Sequence, residues 1–371
     1  MISQNIYEID TLLMFHNKGY SLAECVVQGL NFEDTELEWE KMDVKGTVFL
    51  GCRFPSLAVE FKLRAGGALL FPPIENLPYN PYRSTLYNWR ELMQMTPEGI
   101  TYDEVLYDHF VKHNRHCPDI IEGLAQRIHD HAIDDALGEI LVDAETGRRK
   151  RTVGIMGAHG ALRTDLNYQK VAETAYLLAR DGYFIVSGGG PGIMEAANLG
   201  AYLSQEPFET LQWAIETLSV APYYTDAGYI EAAMTVIEHF PHGNQNLAIP
   251  TWFYGHEPSN LFATAIAKYF SNSLREDGLL AICLYGIIFA PGSAGTRQEI
   301  FQDATQNHYG TFDYFSPMVF LDQDFYKNQT ALYPLLQLFA ENRVYGDMLH
   351  ITDSPSDVLD FIRLHPPVKK S

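Results

Sequence analysis

From Tyr183 to Asn198 the chain reads YFIVSGGGPGIMEAAN. A short run, Tyr183–Ser187, is almost wholly apolar, as a strand buried on both faces must be. It breaks into three consecutive glycines, which let a backbone approach a ligand closely, and then into Pro191, well suited to open a helix. The same order of apolar run, glycine loop and amphipathic segment occurs twice more. Thr152–Met156 leads into GIMGAHG (Gly154–Gly160), and Gly286–Ala290 leads into APGSAGTRQEIFQDA (Ala290–Ala304). Further strands are expected at Leu247–Ile249, Met318–Leu321 and Met348–Ile351. Helices are expected at Tyr168–Arg180, Gly192–Leu203, Gly228–His239, Asn260–Leu274, Thr296–Asn307, Leu332–Glu341 and Ser356–Leu364. Strand alternating with helix over this length predicts an α/β fold, a doubly wound, Rossmann-like parallel sheet. Ligands bind such sheets beyond the carboxyl ends of the strands, where these three loops fall.

The 371 residues suggest two domains, and the texture changes near the basic, turn-prone Gly147–Arg151. We read residues 148–371 as the nucleotide-binding domain and 1–147 as a smaller region of undetermined fold. Within that region, Leu37–Phe54 repeats every five residues: Leu37/Trp39, Met42/Val44, Thr47/Phe49 and Cys52/Phe54, with Gly46 and Gly51 between. A period of five fits neither helix nor strand and resembles a pentapeptide-like β-coil of about one turn. The alternative is an irregular strand pair with fortuitous spacing. Ala68–Phe71 reads as a strand, and Ile120–Leu141 as helical.

Composition narrows the function. With 26 basic against 47 acidic residues the net charge is −21, which repels nucleic-acid phosphates and anionic lipid. The longest apolar run, Leu279–Pro291, is too short for a membrane span of about 20 residues. The start lacks a basic segment followed by an apolar core, and the four cysteines show no paired spacing. A cytoplasmic protein without nucleic-acid or membrane partners is expected. No loop has the lysine of a nucleoside-triphosphate P-loop, and none carries G-x-G-x-x-G in register, which argues against a dinucleotide cofactor.

The run PGSAGTRQE, Pro291–Glu299, resembles the PGGxGTxxE motif of the LOG family, and SGGGPGIMEAAN resembles that family's other glycine loop. The resemblance covers roughly residues 150–360. TWFYGHEPSNLFATAIAKYF and QEIFQDATQNHYG look like its larger bacterial branch, the nucleotide 5′-monophosphate nucleosidases. The family, often mislabelled lysine decarboxylases, implies hydrolysis of nucleoside 5′-monophosphates to free base and ribose 5-phosphate, without a cofactor, by a homodimer or larger assembly. Ser293 departs from the motif's second glycine. The apolar face of Asn260–Phe270 is a candidate interface.

By this resemblance Glu299 occupies the catalytic-glutamate position, where a carboxylate would stabilise positive charge developing on the ribose. Thr296-x-x-Glu299 equally spells a helix capping box. The family's arginine on the preceding helix points to Arg275, which is about one residue out of register, Glu276 standing in the matching position. Gly188, Gly189, Gly190 and Gly192, with Gly292, Ser293, Ala294, Gly295 and Thr296, are candidate phosphate or nucleotide contacts at helix N-termini. Glu195 and Asn198 are candidate ribose or base contacts, and Tyr254, Gly255 and His256 candidate covers. Among His113, His116, Cys117, His129 and His131 no established metal-ligand pattern appears, so no metal is expected. Lys268 has no setting for a Schiff base. The rival reading is a non-catalytic nucleotide or cofactor carrier on the same fold. Single-stranded DNA binding on a related glycine-loop fold is a third, disfavoured by the charge.

Overall fold

The computed structural model describes residues 5–370 except Tyr20 and His116, and of His16 only the backbone. Two compact units form: one holds the chain up to Leu86 with His109–Leu137, the other Tyr87–Asp108 with Gly138–Ser371.

In the first unit, short strands Asn5–Ile6, Val26–Gln28, Val48–Leu50 and Leu69–Phe71 pair side by side, in parallel and in chain order. Register partners Asn5, Val26, Val48 and Leu69 recur roughly every 21–22 residues, so each course of chain stacks on the last as in a solenoid. The corners repeat as well. Gly29 and Gly51 both turn with positive φ (68° and 62°), and a Cβ on Gly51 would stand 2.2 Å from the Tyr82 ring. Of the eight positions in the five-residue spacing, Leu37, Trp39, Val44, Thr47, Phe49 and Cys52 are buried, whereas Met42 and Phe54 are half-buried. Leu37–Phe54 makes most of one course of this stack, but it differs from the expected pentapeptide-like β-coil: only Val48–Leu50 is strand, Trp39–Lys41 is a short helical turn, and the helix Leu57–Ala65 leads on to the next strand. Phe32, Trp39, Phe49 and Phe54 interlock at its centre with ring separations of 5.2–6.4 Å.

In the second unit, seven parallel strands form one sheet. They are β1 (Thr152–Met156), β2 (Phe184–Ser187), β3 (Leu247–Ala248), β4 (Ala265–Ile266), β5 (Ile287–Phe289), β6 (Met318–Leu321) and β7 (Leu349–Thr352), in the order β7-β6-β5-β1-β2-β3-β4. β1, β2, β5 and β6 are buried along their whole length, in keeping with their Val, Ile and Phe content. The fold is the expected doubly wound α/β architecture. Among the described residues no helix is long and apolar enough to cross a membrane.

One segment differs. Asn260–Leu274, expected as a helix, instead contains β4, and the helix begins at Asn272 and runs to Ile282. Its apolar spacing suits a helix, yet Leu261, Phe262, Ala265 and Ile266 are buried, so Asn260–Phe270 offers no free apolar face as an interface. The outer edge of β4 is closed by Tyr87, whose N–H and C=O both bond Ile266 (3.0 and 2.8 Å).

Helices Leu166–Arg180 and Ile193–Tyr202 share the main core with Pro355–Leu364. Their approach depends on Gly200, where an added Cβ would lie 2.0 Å from the Ala172 carbonyl oxygen. Because backbone cannot swing aside, Gly200→Ala is expected to destabilise the fold by about 2–3 kcal/mol, the upper part of the overpacking range. Urea unfolding measures this; an unchanged midpoint refutes the close-packing account.

Candidate functional site

The strand order reverses between β1 and β5, whose chains leave in opposite directions and open a gap at their carboxyl ends. A cleft of about 580 Å³ sits there, within the range of small-molecule sites. The loops after β1, β2, β3 and β5 all contribute: Gly157–His159, Gly188 and Gly190, Pro250 and Thr251, and Ser293–Thr296.

The helix after β5 runs Ala294–Tyr309, and its N-cap Ser293 makes no side-chain capping bond. The N–H groups of Ala294, Gly295 and Thr296 have no intrahelical acceptor, and all three residues line the cleft. Free N–H groups and the positive end of a helix dipole are together the kind of feature that attracts anions. Thr296 lies inside the first turn rather than at the N-cap, so Thr296-x-x-Glu299 forms no capping box. Its side chain folds back over Gly292, where a Cβ would stand 2.1 Å from Thr296 Oγ1. Gly292 shapes the turn and does not line the cleft.

Glu299 lies a turn deeper and lines the same cleft. Arg275, in the first turn of the Asn272–Ile282 helix, donates from Nη1 to Glu299 Oε1 (3.2 Å) and from Nε to the Ile249 carbonyl (2.7 Å). Both side chains are 9% exposed. Burial raises the Glu299 carboxyl above the ordinary carboxylate range; Arg275 opposes the rise and neighbouring Glu276 adds to it. Glu276 also lines the cleft and accepts a hydrogen bond from the Gln298 amide. The guanidinium passes over Gly188, whose missing Cβ would be 2.7 Å from Arg275 Nη2.

Other candidates take different places. Glu195 does not line the cleft. It forms a two-pronged ion pair with Arg163 (2.6 and 2.8 Å) and accepts from Tyr168 Oη (2.9 Å), all fully buried. Arg163 in turn donates to the Ala221 and Tyr229 carbonyls and lies 3.4 Å from the Tyr229 ring centre. The ribose or base role for Glu195 is therefore corrected to a structural one. Asn198 is likewise absorbed, bonded to Ser187, Asn246 and Asn260. Gly189 and Gly192 carry positive φ (81° and 66°) and press against Ala248 and the carbonyls of Ala158 and His159, so they shape the loop behind the cleft.

Tyr254, Gly255 and Glu257 line the cleft's rim, with Glu257 3.6 Å from His159. His256 turns instead towards Asp103 (3.4 Å). Asp103 is buried with Lys268 and Trp252, each donating to it at 2.8 Å. Burial alone would raise its carboxyl, but the Lys268 charge and these hydrogen bonds pull it down to about 2. Lys268 is thus a buried structural ammonium. Glu257 and Arg163 were not singled out from sequence, where nothing distinguishes them from surface charges.

Residues 150–205 match the SLOG cluster4 family. The matched segment, 56 of 371 residues, is a similarity to that family over the β1–β2 region alone. It does not single out the nucleosidase branch. No curated protein matches the chain. Among solved structures, a molybdenum cofactor binding protein from Rippkaea orientalis aligns at 17% identity over 58% of this chain and 97% of its own, with a TM-score of 0.37. A Moco carrier protein from Chlamydomonas reinhardtii aligns at 14% identity over 58% and 97%, TM-score 0.37. A structural-genomics target, TM1055, aligns at 14% over 58% and 99%, TM-score 0.35.

Because Glu195 neutralises a guanidinium sealed from water, Glu195→Ala is expected to cost about 3–5 kcal/mol, the penalty for stranding a buried charge. Denaturant unfolding reads the loss. A cost under about 1 kcal/mol would show that water reaches Arg163 and that the pair is not structural.

Proposed function

We propose that this cleft hydrolyses the N-glycosidic bond of nucleoside 5′-monophosphates, releasing free base and ribose 5-phosphate. The observation that carries this is the juxtaposition of an uncapped helix end at Ser293–Thr296 with the buried carboxylate of Glu299 one turn below it. The 5′-phosphate accepts N–H bonds at the helix end. The ribose then lies over Glu299. As the C1′–N bond breaks, its electron pair leaves with the base, and the ring gains oxocarbenium character that the carboxylate stabilises. Water adds to C1′, Glu299 orienting it and taking its proton, which passes on to the base or solvent. Arg275 fixes the Glu299 carboxylate and keeps part of its charge available. This chemistry needs no cofactor, and the reading includes a cytoplasmic homodimer or larger assembly.

A second reading has its own support. Glu299 and Arg275 satisfy one another, and a carrier needs the helix end and glycine loops without any reacting carboxylate. A panel of nucleoside monophosphates followed by chromatography of free base separates the two. The enzyme requires base release, reduced roughly 10²–10⁴-fold in kcat by Glu299→Gln with KM little changed. Tight binding without release on every nucleotide favours the carrier.

The pH profile supplies an independent check. The ionised carboxylate is the active form, so activity falls as pH drops through the Glu299 pKa. Burial raises that pKa, so the acid limb should have its midpoint above 4.5, the ordinary glutamate value. Arg275→Met removes the opposing charge and should move the limb further up. An acid limb at or below the ordinary value excludes Glu299 as the group titrating.

A further inference from the structure

We propose that His109, His113 and Glu122 form a divalent transition-metal site, of which zinc is the representative ion. His109 stands near the end of the Tyr102–Lys112 helix and His113 one turn on, its N–H still bonded to the His109 carbonyl (3.0 Å). Glu122 lies in the first turn of the Ile120–Ile140 helix. One ligand atom from each of the three falls within 4.8 Å of the others. His109 Nε2 is 2.9 Å from Glu122 Oε2, and the two imidazole rings lie 4.1 Å apart.

Hydrogen bonding presets two of the three groups, and the third, His109, already meets Glu122 through its Nε2. His113 Nδ1 lies 2.8 Å from the His109 carbonyl, which can only accept, so Nδ1 carries the proton and Nε2 keeps its lone pair. Among the described residues nothing else bonds to that nitrogen. An outer hydrogen bond from a ring N–H to a backbone carbonyl is the arrangement that orients metal-bound histidines. Glu122 is 4% exposed, and its other oxygen, Oε1, accepts from Tyr79 Oη (2.9 Å) and Gln126 Nε2 (3.0 Å), leaving Oε2 turned towards the histidines. Two imidazoles and one oriented carboxylate are a zinc donor set, with a fourth position left to water.

The geometry is close to what an ion needs. Zinc bonds of about 2.0–2.2 Å in a tetrahedron separate ligand atoms by about 3.4 Å, so the 2.9 Å contact must open by roughly 0.5 Å. A helix C-terminus favours a cation nearby. The bound ion would clip the end of one helix to the start of the next across the intervening turn. Of the residues grouped from sequence, for which no metal was expected, His113 converges instead with His109, one turn earlier; His116 lies outside the described residues.

The test uses untagged full-length protein, stripped with a chelator and titrated with Zn²⁺ against a chromophoric competitor. One ion per chain is expected, with a rise in melting temperature. Co²⁺ should give the visible absorption of a low-coordinate nitrogen–oxygen site. His113→Gln leaves the His109–Glu122 contact in place and should fold normally by circular dichroism. It and Glu122→Gln should each weaken Zn²⁺ binding more than about tenfold. Cys117→Ser and His131→Gln should leave it unchanged. Absence of saturable one-to-one binding overturns the proposal. So does undiminished affinity in His113→Gln, or loss of affinity in the Cys117 or His131 variant.

Discussion

A guanidinium and a carboxylate held out of water 3.2 Å apart, Arg275 and Glu299, set the requirements for the cleft around them. Either charge alone at that depth carries a penalty of several kcal/mol. Together they are tolerated, provided each keeps its geometry. Arg275 is held from the far side by the Ile249 carbonyl at the end of β3, so its position depends on the sheet itself. Glu299 is carried by the helix leaving β5. The pair therefore joins two strand ends on either side of the reversal in strand order, which is also where a gap between loops is unavoidable.

Glycine serves this arrangement mainly by absence of side chain. Gly188 leaves room for the Arg275 guanidinium, and Gly292 leaves room for Thr296 to fold back over its own turn. Gly189 and Gly192 adopt backbone angles that other residues resist, and they pack against neighbouring chain. Of the three consecutive glycines, Gly188 and Gly190 face the cleft, while Gly189 faces Ala248 and Pro250. A glycine-rich motif thus contains both cleft-facing and purely architectural positions.

The sheet was legible because its strands are short, apolar and followed by glycine: Thr152–Met156 and Met318–Leu321 have the bounds expected of them. β4 was not, since a two-residue strand has no periodicity and its alanine-rich surroundings imitate a helix. Nor was the stacking of the first unit, whose repeat spans a whole course of chain and rests on paired corners such as Gly29 and Gly51. The two acidic candidates show the limit most plainly. Glu195 and Glu299 each follow a glycine loop by a few residues and sit near the start of a helix. What divides them is the partner behind each: Arg163, distant in sequence, seals Glu195 into the core, whereas Arg275 leaves Glu299 on the cleft wall. No local pattern encodes that choice.

The charge balance bears on how an anion can be held here. The chain carries −21, and Glu257, Glu276 and Glu299 all line the cleft. Among the described residues lining it, Arg275 is the only lysine or arginine, and it is engaged with Glu299. On the proposed reading, a phosphate in this cleft would meet main-chain N–H groups, hydroxyls such as that of Ser293 and the dipole of the Ala294–Tyr309 helix, whose effect fades within a turn, and no free guanidinium or ammonium among the described lining residues. Such a cradle grips one phosphate at a fixed height above the helix end and adds little attraction for a second. That favours a monophosphate over a di- or triphosphate, since the extra charge would meet acidic side chains. On the proposed reading, that short reach would set the distance between a bound phosphate and Glu299, and so which sugar atom lay over the carboxylate.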